Sequence, residues 1–225
     1  MHIVEDELPV VVARSVLGRH FFGADEWRPT YGIRLGQHTH KHGLTTFPWG
    51  LDVLHARCPF TPGRKVCETH FAFLGLPRFR GHPFTIARYR EVWLNHDQPR
   101  FQPNRRNFSW EREPFSARAT CSLRWYLMPL NVWTVSRGKT YEEQVAMMPV
   151  EYEVPLAVEE VTKLILYFMR TRSYLDPEAF ARCRELTSDG DRVLVGGFDQ
   201  TGIAVSSWTD DYQAWSMGLA LSRKV

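Results

Sequence analysis

The chain has 225 residues, 44% of them hydrophobic and 24% charged, with a net charge of +3. That length supports one large domain or two small ones without covalent staples, and the charge is too small to announce a polyanionic partner. Four cysteines argue against a disulfide framework, and the longest apolar run, around Val161 to Met169, is far short of the roughly twenty residues of a membrane span.

The opening Met1-His2-Ile3-Val4-Glu5-Asp6-Glu7 has neither a basic nor an apolar leader segment, so a soluble protein of a reducing, cytoplasmic compartment is expected. Residues 1–118 are rich in Pro, His and Arg and show little sustained periodicity. His38, His40 and His42 would share one face of a strand, and Cys58, Cys67 and His70 could complete a tetrahedral zinc site. Neither spacing is a recognised zinc frame, so a polar loop and buried free thiols are expected instead, with no metal and no cofactor. From Arg78 to Arg112, eight arginines alternate with Phe79, Phe84, Tyr89, Trp93, Phe101, Phe108 and Trp110. Such a stretch fits either a nucleic-acid surface or a solvated face with aromatic core behind it.

The second half, 119–225, is more regular. Ser122–Leu127 reads as a strand. Thr140 with Glu143 makes a capping box for a short helix that Pro149 stops. A helix is expected from Pro155 to about Thr171, with Leu156, Val161, Leu164, Ile165 and Phe168 as its apolar stripe. Phe180–Arg184 reads as a strand. From Cys183 onward, short apolar pieces are cut by Asp189-Gly190, Gly196-Gly197 and Asp210-Asp211, the pattern of a strand meander. A helix against such a meander is an α+β arrangement.

Between those pieces lie Ser206, Ser207, Trp208, Thr209, Asp210, Asp211, Tyr212, Trp215 and Ser216. Folding alone does not ask for two tryptophans and a tyrosine among loop-forming Ser, Thr and Asp. A binding surface does, because aromatics supply rigid contact area while small polar residues adapt their hydrogen bonds. Asp199, Asp210 and Asp211 could hold calcium, but Asp in a meander commonly makes turns.

The ordered series Arg124-Trp125-Tyr126-Leu127, Thr140-Tyr141-Glu142-Glu143-Gln144, Glu153-Val154-Pro155, Ile165-Leu166-Tyr167-Phe168, Arg182-Cys183, Arg192 to Asp199, and Gly218-Leu219 with Ser222-Arg223-Lys224 resembles one family. It is similar to the variable proteins of diversity-generating retroelements, over about the last half of the chain, with a fainter echo from Cys58 to His70. The resemblance implies a C-type-lectin-like domain, related to formylglycine-generating enzymes, over 119–225, with 1–118 packed on it as an irregular extension. It also implies a non-enzymatic protein that binds a ligand, expected to be a protein. The related enzymes would need paired reactive cysteines near the C-terminal end, where only Cys183 stands.

In such systems a reverse transcriptase corrupts the adenines of a template copy, so an AAC codon can come to encode most residues but not Trp, Gln, Met, Glu or Lys. Asp191, Asp199, Thr201, Ala204, Ser206, Ser207, Thr209, Asp210, Asp211, Tyr212, Ala214 and Ser216 are compatible with that origin. Trp208 and Trp215 would be scaffold or AGG-derived members of the same surface. Val193, Val195, Phe198, Ile203, Val205, Leu219 and Leu221 would form the unvaried inward face. The alternative is a metal-dependent or nucleic-acid-acting protein that uses the His/Cys/Arg-rich first half.

Overall fold

The computed structural model describes residues 7–35, 44–92, 98–102 and 110–225. Its elements are mixed helix and sheet, an α+β arrangement. The first half supplies the helices α1 (Val10–Leu17), α2 (Ala24–Tyr31) and α3 (Ile86–Val92) and the strands β1 (Phe21–Phe22) and β2 (His70–Leu74). The second half supplies β3 (Trp125–Pro129), the helix α4 (Tyr141–Ala146), β4 (Tyr152–Glu153) and the helix α5 (Ala157–Thr171). It ends with β5 (Phe180–Leu186), β6 (Arg192–Asp199), β7 (Gly202–Trp208), β8 (Met217–Leu219) and β9 (Ser222–Arg223).

α5 organises the fold. It is not the one-sided amphipathic helix that its stripe suggested, because every side chain from Ala157 to Tyr167 is buried, Glu159, Glu160 and Lys163 included. A helix covered all round belongs inside a core. It packs against β5 and β6 of one sheet and against β1 and β2 of another. It begins two residues later than expected, because the Glu159 carboxylate accepts the Leu156 N–H at 2.8 Å and fixes the cap there, leaving Pro155 outside.

The second of those sheets has the order β1-β2-β3. β2 and β3 are antiparallel, from His70 opposite Pro129 to Leu74 opposite Trp125, and both are buried along their whole length. The strand expected at Ser122–Leu127 therefore starts at Trp125, since Arg124 N–H turns back to the Ser122 carbonyl. One hydrophobic cluster runs from Ala13 through Phe71 and Tyr126 to Ala220, so residues on both sides of position 118 share a core.

The other sheet has the order β7-β6-β5-β8. β5, β6 and β7 form the expected antiparallel meander, with Gly190 at φ 89° and Gly202 at φ 120° in or beside the turns. The last piece departs from it: β8 crosses to the far side of β5 and runs parallel to it. Gly196 marks the closest approach of β6 to the start of β5, where a Cβ would lie 2.1 Å from the Ala179 carbonyl oxygen.

Facing residues share a side of the pleat, which gives this sheet two distinct surfaces. Val193, Val195, Ile203, Val205, Ala181 and Cys183 join the core that holds α5. Arg182, Leu194, Ser206 and Leu219 lie on the other side, as do Arg192 and Trp208. Leu219 and Leu221, grouped above with the inward valines, instead form a small separate core with Trp133, Tyr152 and Val154.

A carboxylate from β5 also reaches the start of α5. Glu185 Oε2 accepts the Ala157 N–H at 2.8 Å, while Oε1 is buried without a partner among the described residues. Burial pushes this carboxyl up to about 7, against the pull of the Ala157 N–H. A folded value above the unfolded one means that the native state holds the proton more tightly, so this contribution to stability is present at acid pH and is lost as pH rises through about 7. Glu185→Gln removes that dependence, and urea midpoints at about pH 5 and about pH 8 show the variant gaining on the wild type at the higher pH. An unchanged difference at the two pH values overturns the assignment.

Candidate functional site

The segment between β7 and β8 is shaped by a turn in which Tyr212 N–H bonds the Thr209 carbonyl at 3.3 Å and Thr209 Oγ1 donates to Asp211 Oδ1 at 2.5 Å. Its remaining ties reach into the protein, and nearly all of them hold main-chain atoms. Tyr141 N–H bonds the Asp210 carbonyl at 2.9 Å, Gly138 N–H and Met217 N–H bond the Ala214 carbonyl at 3.0 Å each, and Phe180 N–H bonds the Ser216 carbonyl at 2.7 Å. Arg182, fully buried on β5, donates to the Tyr212 carbonyl, to the Lys139 carbonyl at 2.8 Å and to Gln144 Oε1 at 3.1 Å. Burial pushes its pKa down, and the charge of Asp210 opposes that shift.

One tie uses a loop side chain. Arg192 grips both oxygens of Asp210, at 2.9 and 2.7 Å, and its guanidinium lies 3.8 Å from the centre of the Tyr141 ring. Asp210 is thereby a bracket of the loop, and its oxygens are spent on arginine instead of a calcium ion. Tyr141 and Gln144 stand on α4, whose Thr140–Glu143 capping box forms as the spacing predicts, with bonds of 2.8 and 3.2 Å.

With the backbone held, the side chains sort themselves. Asp210, Ala214 and Ser216 are half-buried, whereas Thr209, Asp211, Tyr212, Gln213 and Trp215 are exposed. Trp215 is 71% accessible, more than any packing role requires. The Tyr212 ring stacks on Trp208 with centres 4.4 Å apart and planes at 13°. Asp191 lies at this end of the sheet, next to the Arg192–Trp208 pair.

The structure does not gather all the expected residues. Ser207 faces Val193 and shares the side of Val205, so the pleat separates it from Ser206 and Trp208. Ala204 and Ser206 lie on the Trp208 side, further along β7. Asp199 and Thr201 sit at the hairpin turn at the opposite end, with Thr201 seven residues from Trp208, or roughly 24 Å at about 3.4 Å per residue. There Asp199 Oδ1 accepts Thr201 N–H at 2.7 Å and Thr201 Oγ1 at 2.6 Å, as in an ordinary Asp turn. Gln213 was missed because its codon is not reachable from AAC. Arg182 was missed although a lone arginine inside Phe180-Ala181-Arg182-Cys183 is the signal of a buried, partnered cation.

Among the described residues no group of three or more His, Cys, Asp and Glu is placed to hold a metal ion. His70 Nε2 bonds the Tyr152 hydroxyl at 3.0 Å and Nδ1 bonds Thr69 Oγ1 at 3.0 Å, and burial drives its pKa down to about 3. The four cysteines are free thiols. Burial pushes Cys183 well up, the opposite of what a nucleophile needs. His38, His40 and His42 lie outside the described residues. In the arginine-aromatic stretch, Phe79, Phe84, Tyr89, Phe101 and Trp110 are buried in the main core and present no ring to a base. Arg88 pairs with Glu91 and Arg90 with Glu111. Trp93 and Phe108 lie outside the described residues.

Among the described residues no helix is long and apolar enough to cross a membrane. Comparison with protein-family models, with curated proteins and with solved structures finds no match to this chain.

Proposed function

We propose that this protein is a non-enzymatic, cytoplasmic binding protein that presents residues 208–216 to a protein ligand, and that this surface is diversified by adenine-directed, reverse-transcriptase-mediated mutagenesis. In this reading 119–225 is a C-type-lectin-like variable domain. The observation that carries it is the way the 209–216 loop is held. Its carbonyls at Asp210, Tyr212, Ala214 and Ser216 are bonded from outside the loop, so its path depends little on which side chains it bears. Thr209, Asp211, Tyr212, Gln213 and Trp215 are then free to vary, while Trp208, Tyr212 and Trp215 offer the aromatic area that dominates binding energy. Asp210 belongs to the frame, together with Arg192 and Arg182.

The gene tests the genetic half of this reading. A near-copy of the segment encoding about residues 185–223, differing almost only at adenines and close to a reverse-transcriptase gene, is the expected finding; a gene without one sinks it. Protein chemistry tests the structural half. The triple variant Thr209→Asn, Asp211→Ser, Trp215→Tyr keeps the thermal midpoint within about 3–6 °C of the wild type, because exposed substitutions mostly stay within about 0.5 kcal/mol each. Cooperative unfolding at a midpoint lowered well beyond that range would mean that the patch is core.

A further inference from the structure

A cleft of about 490 Å³ opens between the 58–69 segment and the strap 129–135, in the size range of small-molecule sites. Its residues take no part in the 208–216 surface. One wall is aromatic: Phe60 meets Trp133 edge-on at 5.4 Å and is itself backed by Tyr152 at 4.7 Å. At the mouth stands Val135, 62% accessible although apolar. The walls are fixed from behind by Leu130 N–H on the Thr69 carbonyl, Cys58 N–H on the Arg64 carbonyl, both 2.8 Å, and Ser136 Oγ on the Trp133 carbonyl at 2.7 Å. Such a cleft is formed before any ligand arrives, which lowers the ordering cost of binding.

The polar groups point to one chemistry. Arg64 uses Nε for Glu68, at 3.1 Å, and its two Nη groups bond no described residue. Glu68 is already engaged, since its Oε2 also accepts the Lys65 N–H at 2.8 Å, and these bonds hold its carboxyl below the usual range. The Asn131 amide and Thr134 hydroxyl also line the cleft, with no bond to a described residue. The geometry points to a second ligand site here, for a small organic monocarboxylate with a flat apolar body. The body lies against Trp133 and Phe60 and the carboxylate takes the two Nη donors of Arg64, the planar fork that suits it. A second negative charge would meet Glu68, so dicarboxylates are disfavoured.

The test uses phenylacetate and its neutral isostere phenylacetamide, titrated into the isotopically labelled full chain and followed by amide and indole shifts. Saturable shifts of the Trp133 indole and the Thr134 and Val135 amides are expected with phenylacetate, at least about tenfold tighter than with the amide. Arg64→Gln abolishes that preference while the thermal midpoint holds, and Trp215→Ala leaves it intact. No saturation at tens of millimolar, equal affinity for acid and amide, or a preference that survives Arg64→Gln each overturns the proposal.

Discussion

Lys163→Met lowers the unfolding free energy by roughly 3–5 kcal/mol, the cost of leaving one member of a buried ion pair alone. Lys163 Nζ lies 2.7 Å from Glu160 Oε1, with the two side chains 5% and 2% accessible inside the fold. The ammonium also donates to the Pro129 carbonyl at 3.1 Å, tying α5 to the end of β3. Glu160 Oε2 has no partner among the described residues, so there the pair alone supports this carboxylate. Burial already pushes Glu160 up, and the lysine charge pulls it back; without the lysine, the carboxyl sheds its charge by binding a proton. The loss is therefore smaller at acid pH and grows as pH rises. The double variant Glu160→Leu, Lys163→Met recovers most of the stability, because apolar replacement of a buried pair is often neutral or better. Urea unfolding of the two single variants and the double variant gives the coupling directly. Single variants within about 1 kcal/mol of the wild type would mean that the pair is solvated.

Arg182→Leu costs about 2–4 kcal/mol and loosens the 209–216 loop around Tyr212, since three acceptors lose a charged donor at once and one of them is the Tyr212 carbonyl. Part of that loss is returned because the removed guanidinium is itself buried, and because an opened loop rehydrates its carbonyls. The Trp208–Tyr212 stack goes with the loop, which near-ultraviolet circular dichroism reads, and the Tyr212 and Met217 amides lose protection from exchange. Arg182→Lys fails to restore the wild type, because one ammonium cannot serve Lys139, Gln144 and Tyr212 in the fixed directions of a fork. Unchanged exchange at Tyr212 and Met217 in Arg182→Leu would show that the loop is held without it.

Where a structural rule acts over a few residues, the chain states its structure openly. The capping box at Thr140, the strand from Phe180 and the turn at Asp189-Gly190 are local events and stand where their residue patterns put them, whereas Gly196-Gly197, read as a break between strands, lies inside β6 as a register irregularity. The parallel docking of β8 on β5 is not local. It depends on Met217 reaching Phe180 from 37 positions away, and no short window carries that information. β2 is hidden for another reason: His70–Leu74 is buried on both faces, so it has no alternation by which to be recognised. Glu160 and Lys163 lie outside the apolar stripe that the helical spacing marks, and only tertiary packing makes them an interior pair. The split of the candidate surface, by contrast, was legible. Once Val205 is placed inward, a period of two puts Ser207 inward as well, and the length of β7 carries Thr201 away from Trp208.

The manner in which the loop is tethered sets what kind of variety it can hold. Donors from Arg182, Gly138, Tyr141, Phe180 and Met217 meet carbonyls at fixed intervals along 209–216. Substitution leaves those carbonyls where they are, but inserting or deleting one residue moves every later carbonyl off its donor. Proline is barred at 212, where the N–H is engaged, yet a change of side chain at 213 or 215 passes unnoticed by the frame. Any variety this loop can carry is thus one of chemistry at constant length, with side chains exchanged on a backbone of a single outline.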